Sequence, residues 1–294
     1  MKIYDCFTFF NEIDLLKFRL EFLYEHVDKF IISESNITFS GHKKPFFFIE
    51  QQQEFSRWIN KIEYLQCYPD ISNLNFDKPN KYDASHACWE VEKAQRNFLA
   101  NGLSCLNDND LVILTDIDEI WNPSILQDIR LSEMHFKAAR LEMSFHYFYM
   151  NLCGVGSENK FWLHPVCIKY ALLRDNLKQG LASFRSGDAF RRSLKKFLLN
   201  KPVFNPSLVS DGGWHFSYLG GAEAVIKKIE SFSHQEFNNA EVKEHVRIER
   251  CIDLGLDPFD RSNHIWQFCP IDAFPEKLAN LMRKYPKFIK TSLI

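Results

Sequence analysis

Leu111-Val112-Ile113-Leu114-Thr115-Asp116-Ile117-Asp118-Glu119-Ile120 is the stretch on which the fold turns. Four apolar residues in succession, two of them β-branched, read as a strand buried on both faces. The strand runs straight into Asp116, Asp118 and Glu119, and Trp121-Asn122-Pro123 stops it. Three carboxylates at the end of a buried strand repel one another and lose solvation, which is costly without a compensating cation. In an extended segment Asp116 and Asp118 point to the same side, so both can face one ion. Hard oxygen ligands suit Mg²⁺ or Mn²⁺, which keep open positions for a substrate phosphate. The plainer alternative is a solvated turn, where Asp is favoured in any case.

Upstream of that stretch, Lys2–Phe10, Val27–Ser33 and Lys61–Tyr68 read as strands. Ile13–His26 mixes Leu and Phe with Asp14, Lys17, Arg19 and Glu21 at helical spacing, and Gln51–Asn60 reads as a short helix. A longer helix spans roughly Ala84–Asn101 and ends at Gly102. Strand–helix alternation with short links predicts an α/β, Rossmann-like, mostly parallel sheet with helices on both faces, its ligands at the carboxyl ends of the strands. Glu34 and Asp116 both fall at such ends. Downstream, Ala138–Asn151 and Phe161–Leu173 are aromatic-rich strand candidates. The 174–201 stretch is basic, either a solvated helical face or a patch for an anionic acceptor or lipid headgroups. In Asp211-Gly212-Gly213-Trp214-His215-Phe216-Ser217-Tyr218-Leu219-Gly220-Gly221, two glycine pairs bracket an aromatic strand, as expected where backbone approaches a ligand closely. Ala222–Leu254 reads as helical, and Phe274–Tyr285 as a last helix.

Bulk properties narrow the function classes. A hydrophobic content of 46% and charged content of 25% over 294 residues describe an ordinary globular protein. A net charge of −2 argues against nucleic-acid binding. Met1-Lys2-Ile3-Tyr4-Asp5-Cys6 lacks a cationic start followed by an apolar run, and no stretch approaches the roughly 18 apolar residues of a membrane span. The eight cysteines are scattered without a Cys-x-x-Cys pair, which predicts reduced thiols and a cytoplasmic location. With no linker or repeat, one domain is the simplest organisation.

Several blocks together resemble glycosyltransferase family 17: Asp5-Cys6-Phe7-Thr8-Phe9-Phe10-Asn11-Glu12, Glu34-Ser35-Asn36 with Thr38-Phe39-Ser40-Gly41, Glu92 with Gln95-Arg96-Asn97, Asp116-Ile117-Asp118-Glu119-Ile120, Gly213-Trp214-His215-Phe216-Ser217, and Lys228 with Glu230-Ser231-Phe232-Ser233-His234-Gln235-Glu236. The resemblance implies a glycosyltransferase fold of the A type, with an Asp-x-Asp motif binding a divalent ion and a nucleotide-sugar diphosphate. It implies inverting transfer of N-acetylglucosamine from UDP to a glycan or lipid-linked glycan. In this chain Trp121-Asn122 stands where the family commonly has Pro after Asp-Glu-Ile. On that footing residues 1–125 form a nucleotide-sugar half and 126–294 an acceptor half.

The expected roles follow. Asp116 and Asp118 hold Mn²⁺ or Mg²⁺, with His215 as a further ligand, since imidazole suits Mn²⁺. A carboxylate takes the acceptor's proton, with Asp211, Glu119 and Glu142 as candidates and Asp211 preferred. Arg96 reaches a phosphate and Asn97 the nearby backbone. Glu34 contacts ribose or uracil. Trp214 and Tyr218 either stack on sugar or fill core, and His234 and Glu236 line the acceptor side. Two other classes compete: a haloacid dehalogenase-type phosphohydrolase, which also sets Asp-x-Asp after an apolar strand, and a non-catalytic sugar-binding protein. In the former the motif normally lies near the chain's start.

Overall fold

The computed structural model describes residues 1–131, 136–190 and 205–290. Strands β1 (Ile3–Phe9), β2 (Lys29–Ser35), β3 (Ile62–Cys67) and β4 (Leu111–Asp116) lie parallel in the order β3-β2-β1-β4. The register sets Thr8 opposite Asp116 and Phe9 opposite Glu34, so the carboxyl ends of β1, β2 and β4 share one edge.

Alternation along these strands sorts the core into two layers. Phe7, Phe9, Phe30, Ile32 and Ile113 join the cluster of α1 (Ile13–Leu23), α4 (Ile125–Leu131) and α9 (Glu276–Met282). Cys6, Ile31, Val112 and Leu114 meet Leu99, Leu103, Leu173, Leu181 and Phe184 on the other face. Those residues come from the 3₁₀ turn Leu99–Leu103 that follows α3 (Ala87–Phe98) and from α5 (Tyr170–Arg174) and α6 (Leu181–Ser186). Helices therefore cover both faces, as expected of the α/β class.

Beyond β4 the sheet departs from the parallel expectation. β9 (Val166–Lys169) runs antiparallel to β4, and β6 (Ala138–Tyr147) antiparallel to β9. β7 (Leu152–Gly154) and β8 (Phe161–Trp162) add to β6 antiparallel, and β11 (Trp266–Phe268) to β7. β5 (Glu119–Trp121) pairs antiparallel with β10 (Ser207–Ser217), and β10 alone here is parallel to β6. The connections from β6 through β9 are turns without a crossover helix, and such connections favour antiparallel pairing. The expected Phe161–Leu173 strand is split at Pro165, and the expected 222–254 helix divides into α7 (Gly221–Ser231) and α8 (His245–Leu254). Both pack on Phe145, Tyr147, Tyr218 and Trp266.

One further expectation is corrected. Cys153 and Cys269 form a disulfide, because β7–β11 pairing brings them together from 116 residues apart. The other six cysteines are free thiols. Arg19, one of the charges on α1, is wholly buried. No helix among the described residues is long and apolar enough to cross a membrane.

β10 carries a bulge between Val209 and Gly213. Gly213 has φ +146°, and a Cβ there would stand 2.3 Å from the carbonyl oxygen of Ile120. Gly213→Ala should therefore lower unfolding stability by more than about 2 kcal/mol, read as a reduced urea midpoint. An unchanged midpoint would show that β5 and β10 do not need this close approach.

Candidate active site

The acidic turn is built on a buried guanidinium. Arg19 donates from Nε and Nη2 to both oxygens of Asp5, at 2.8 and 2.6 Å, and lies 4.2 Å over the Phe7 ring. Its remaining donors reach the carbonyl oxygens of Asp116 (3.0 Å), Ile117 (3.3 Å) and Glu119 (2.8 Å) and the Thr115 hydroxyl (2.6 Å). Trp121 adds an indole N–H to Asp5 at 3.2 Å. A planar fork with five donors suits this task, for which Lys is no substitute. One ion pair from β1 and α1 thus fixes the backbone of residues 116–119.

Each carboxylate above that base faces protein cations. Asp116 accepts from Arg96 on α3 (2.8 Å), from Arg185 on α6 (2.6 Å) and from Thr8 on β1 (3.3 Å). Burial pushes its carboxyl up, but Arg185 and Arg96 outweigh that and hold it well below the usual range. Asp118 places Oδ2 2.7 Å from Lys228 Nζ on α7 and Oδ1 3.4 Å from His215 Nε2 on β10. Burial again works against its charge, and Lys228 and His215 override it, keeping the group ionised far below pH 4. Asp116 and Asp118 are near enough to feel each other's charge, but Asp116 faces Arg96 and Arg185 while Asp118 faces Lys228 and His215.

Alternation along β10 decides the roles of its aromatic residues. His215 and Ser217 face the acidic turn, with Ser217 Oγ 3.4 Å from Lys228. His215 stacks on Phe145 with ring centroids 4.7 Å apart, and its Nδ1 is buried without a hydrogen-bond partner among the described residues. Trp214 points the opposite way into the core beside Phe22, so it fills core rather than stacking on sugar. Tyr218 is also buried, under the Lys228 ammonium at 4.8 Å.

The other expected residues fall elsewhere. Glu34 is buried and accepts from Lys44 (2.6 Å), Tyr64 (2.8 Å) and the amides of Phe47 (2.7 Å) and Phe48 (3.1 Å). It anchors the segment before and through α2 (Phe47–Glu50), which fills its acceptor sites with protein donors. Asn97 takes the amide of Ala182 at 2.9 Å and packs on Gly180, so it fixes the start of α6 and with it Arg185. Glu119, far from being a free base, is wholly buried against Arg185 (2.6 Å), the Trp162 indole and the amide of Asp116 (2.7 Å). Asp211, at φ +52°, and Glu142 lie at the β10 bulge beyond the far end of β5. Four strand residues, roughly 13 Å, separate Asp211 from His215.

Arg185, Lys228 and Glu12 are site residues that pattern reading did not assign. Arg185 lies in the basic run, where a solvated face or a patch for an anionic acceptor or lipid headgroups is expected, yet it turns inward. Arg174 of the same run pairs with Asp108 and Asp175, and residues 191–201 lie outside the described residues. Glu12 follows β1, receives the amides of Phe10 (3.2 Å) and Asn11 (3.0 Å), and is raised by desolvation, with Lys228 opposing and Asp118 adding to the shift.

Among the described residues, no cluster of three or more His, Cys, Asp or Glu forms a ready-made metal cage. The Asp118–His215 pair nonetheless fits two neighbouring positions of a six-coordinate ion. Bonds of about 2.1 Å at right angles set ligand atoms about 3.0 Å apart, near the 3.4 Å found here. Ions of this kind need only one or two protein ligands when phosphate and water supply the rest. Asp116, with both oxygens on guanidinium groups, is the less available partner.

Residues 1–162, more than half the chain, match the family model described as Glycosyltransferase family 17. A comparison with curated proteins finds no match. Among solved structures, residues 1–349 of TarS from S. aureus align at 13% identity and a TM-score of 0.38, covering 88% of this chain and 70% of that one. A 2-C-methyl-D-erythritol 4-phosphate cytidylyltransferase from Francisella tularensis aligns at 11% identity and 0.37, covering 71% and 90%. A mannose-6-phosphate isomerase from Helicobacter pylori aligns at 12% and 0.36, covering 71% and 86%. TM-scores this low carry no argument about chemistry.

Proposed function

The chain belongs to glycosyltransferase family 17, and from that premise we propose that it performs inverting, metal-dependent transfer of N-acetylglucosamine from its UDP donor to a glycan hydroxyl. Glycosyl transfer itself follows from the family, which sets aside the phosphohydrolase and lectin-like readings. The donor, the ion and the stereochemistry are our reading. The observation that carries it is the Asp118–His215 edge standing between Lys228, Arg96 and Arg185 at the carboxyl ends of β1 and β4.

Asp118 and His215 would hold Mn²⁺ or Mg²⁺, which neutralises charge on the departing diphosphate. Lys228 and Arg185 would receive phosphate oxygens, and Arg96 would keep Asp116 oriented. Residues 1–125 would supply most of the donor side, and 126–294 would supply His215 and Lys228 and part of the acceptor side, for a free or lipid-linked glycan. Glu12 suits the proton acceptor better than Asp211 or Glu142. It lies four residues beyond Thr8, which is opposite Asp116, and it is close enough to Lys228 and Asp118 to feel both charges.

Incubation with UDP-N-acetylglucosamine and Mn²⁺ should release UDP slowly to water and raise the melting temperature. Absence of both responses would sink the donor assignment. For the base, the raised carboxyl of Glu12 predicts that activity is lost as pH falls, at a pH above that of an ordinary glutamate. Glu12→Gln should remove that acid limb and lower kcat about 10²–10⁴-fold, while Asp211→Asn and Glu142→Gln keep it. A limb that survives in Glu12→Gln assigns the proton to another group.

A further inference from the structure

We propose that Tyr82, Trp89 and His234 form the acceptor subsite, on which one pyranose ring of the glycan stacks while Glu236 binds a hydroxyl. The proposal rests on the glycosyltransferase reading and adds where the second substrate lies.

Tyr82 is 57% exposed and the His234 side chain 43%, unusual for rings that belong to one cluster. The Trp89 and His234 rings meet edge-on at 4.8 Å, and Tyr82 lies 5.7 Å from Trp89 and 5.9 Å from His234. His234 Nδ1 is 2.8 Å from a Glu236 oxygen, so aromatic faces and a polar pair lie side by side. A hexose offers that combination: an apolar C–H face over an aromatic ring, with hydroxyls at its rim.

Two separate chains of contact lead from these rings to the acidic turn. In one, Ser233 bonds Glu92, Glu92 pairs with Arg96 at 2.7 Å, and Arg96 pairs with Asp116 at 2.8 Å. In the other, Lys228, which binds Asp118, lies over Tyr218, whose ring meets Phe232, itself 5.7 Å from His234. Trp89 and Arg96 are seven residues apart on one face of α3, about 10.5 Å along its axis. On this proposal the donor sugar would lie along that span, between the wall and the turn.

The test labels the full chain with fluorotryptophan and follows fluorine NMR, assigning Trp89 and Trp162 by Trp89→Phe and Trp162→Phe. UDP with Mn²⁺ should move the Trp162 signal, since that indole bonds Glu119 beside Asp116. A β-linked N-acetylglucosamine tetramer or a mannose tetramer should move the Trp89 signal, and Tyr82→Ala should weaken that response about tenfold, with Glu236→Gln doing the same. Failure of both tetramers to move Trp89, or an undiminished response in Tyr82→Ala, overturns the proposal. A silent Trp162 with a responsive Trp89 would instead overturn the donor reading and leave the saccharide subsite standing.

Discussion

Asp118→Asn is expected to lower kcat/KM for transfer by at least about 10³ while leaving the fold intact. The amide is isosteric, and its oxygen can still accept from Lys228. The variant loses the negative charge that would make Asp118 an ion ligand and that holds the Lys228 ammonium in line. UDP release and acceptor turnover measure the first effect, and a thermal melt measures the second. Asp116→Asn should behave differently. It leaves Arg96 and Arg185 facing each other with Glu92 and Glu119 alone to balance them, so its melting temperature should drop together with its activity. Transfer within tenfold of the wild type in Asp118→Asn would remove the basis for the assigned site.

Arg19→Met should destabilise the protein by about 3–5 kcal/mol, because Asp5 would be left charged in the core with only the Trp121 indole. Against a typical total of about 5–15 kcal/mol, that removes from about a fifth to all of the stability. A second variant separates the charge penalty from the loss of scaffolding. In Arg19→Met/Asp5→Leu both charges are gone, and stability should partly return. Activity should not return, since the carbonyl oxygens of Asp116, Ile117 and Glu119 would still lack the donors that shape the turn. Urea denaturation and UDP release report the two quantities separately. Recovery of both would mean that Arg19 serves only to neutralise Asp5.

The parallel half of the fold was readable because β1, β2 and β4 are buried along nearly their whole length and carry apolar runs, with helical patterns between the strands; β3, at the edge, is only half-buried. The acidic turn was readable for a related reason: carboxylates directly after such a run need a special environment. What stayed hidden depends on long-range pairing. Arg185 reaches Asp116 across 69 residues, and Cys153 meets Cys269 only once β7 and β11 pair. Arg19 shows a helix of mixed polarity whose charged residue faces inward because a partner, Asp5, awaits it on β1. The core position of Trp214 was within reach of the pattern, since period-2 alternation opposes it to His215. Asp211 was misjudged because a bulge displaces it, and a bulge leaves no periodic trace.

The ammonium of Lys228 has a consequence for the order of ligand entry. Without donor, it occupies the flank of Asp118 as a placeholder, so the acidic turn is never a bare anion. If a dication takes Asp118 Oδ1 and His215, Lys228 can stay on Oδ2 and turn its remaining donors to the pyrophosphate that follows. Loading would then add guests around a charge already held in place. By thermodynamic reciprocity each guest would tighten the other's hold.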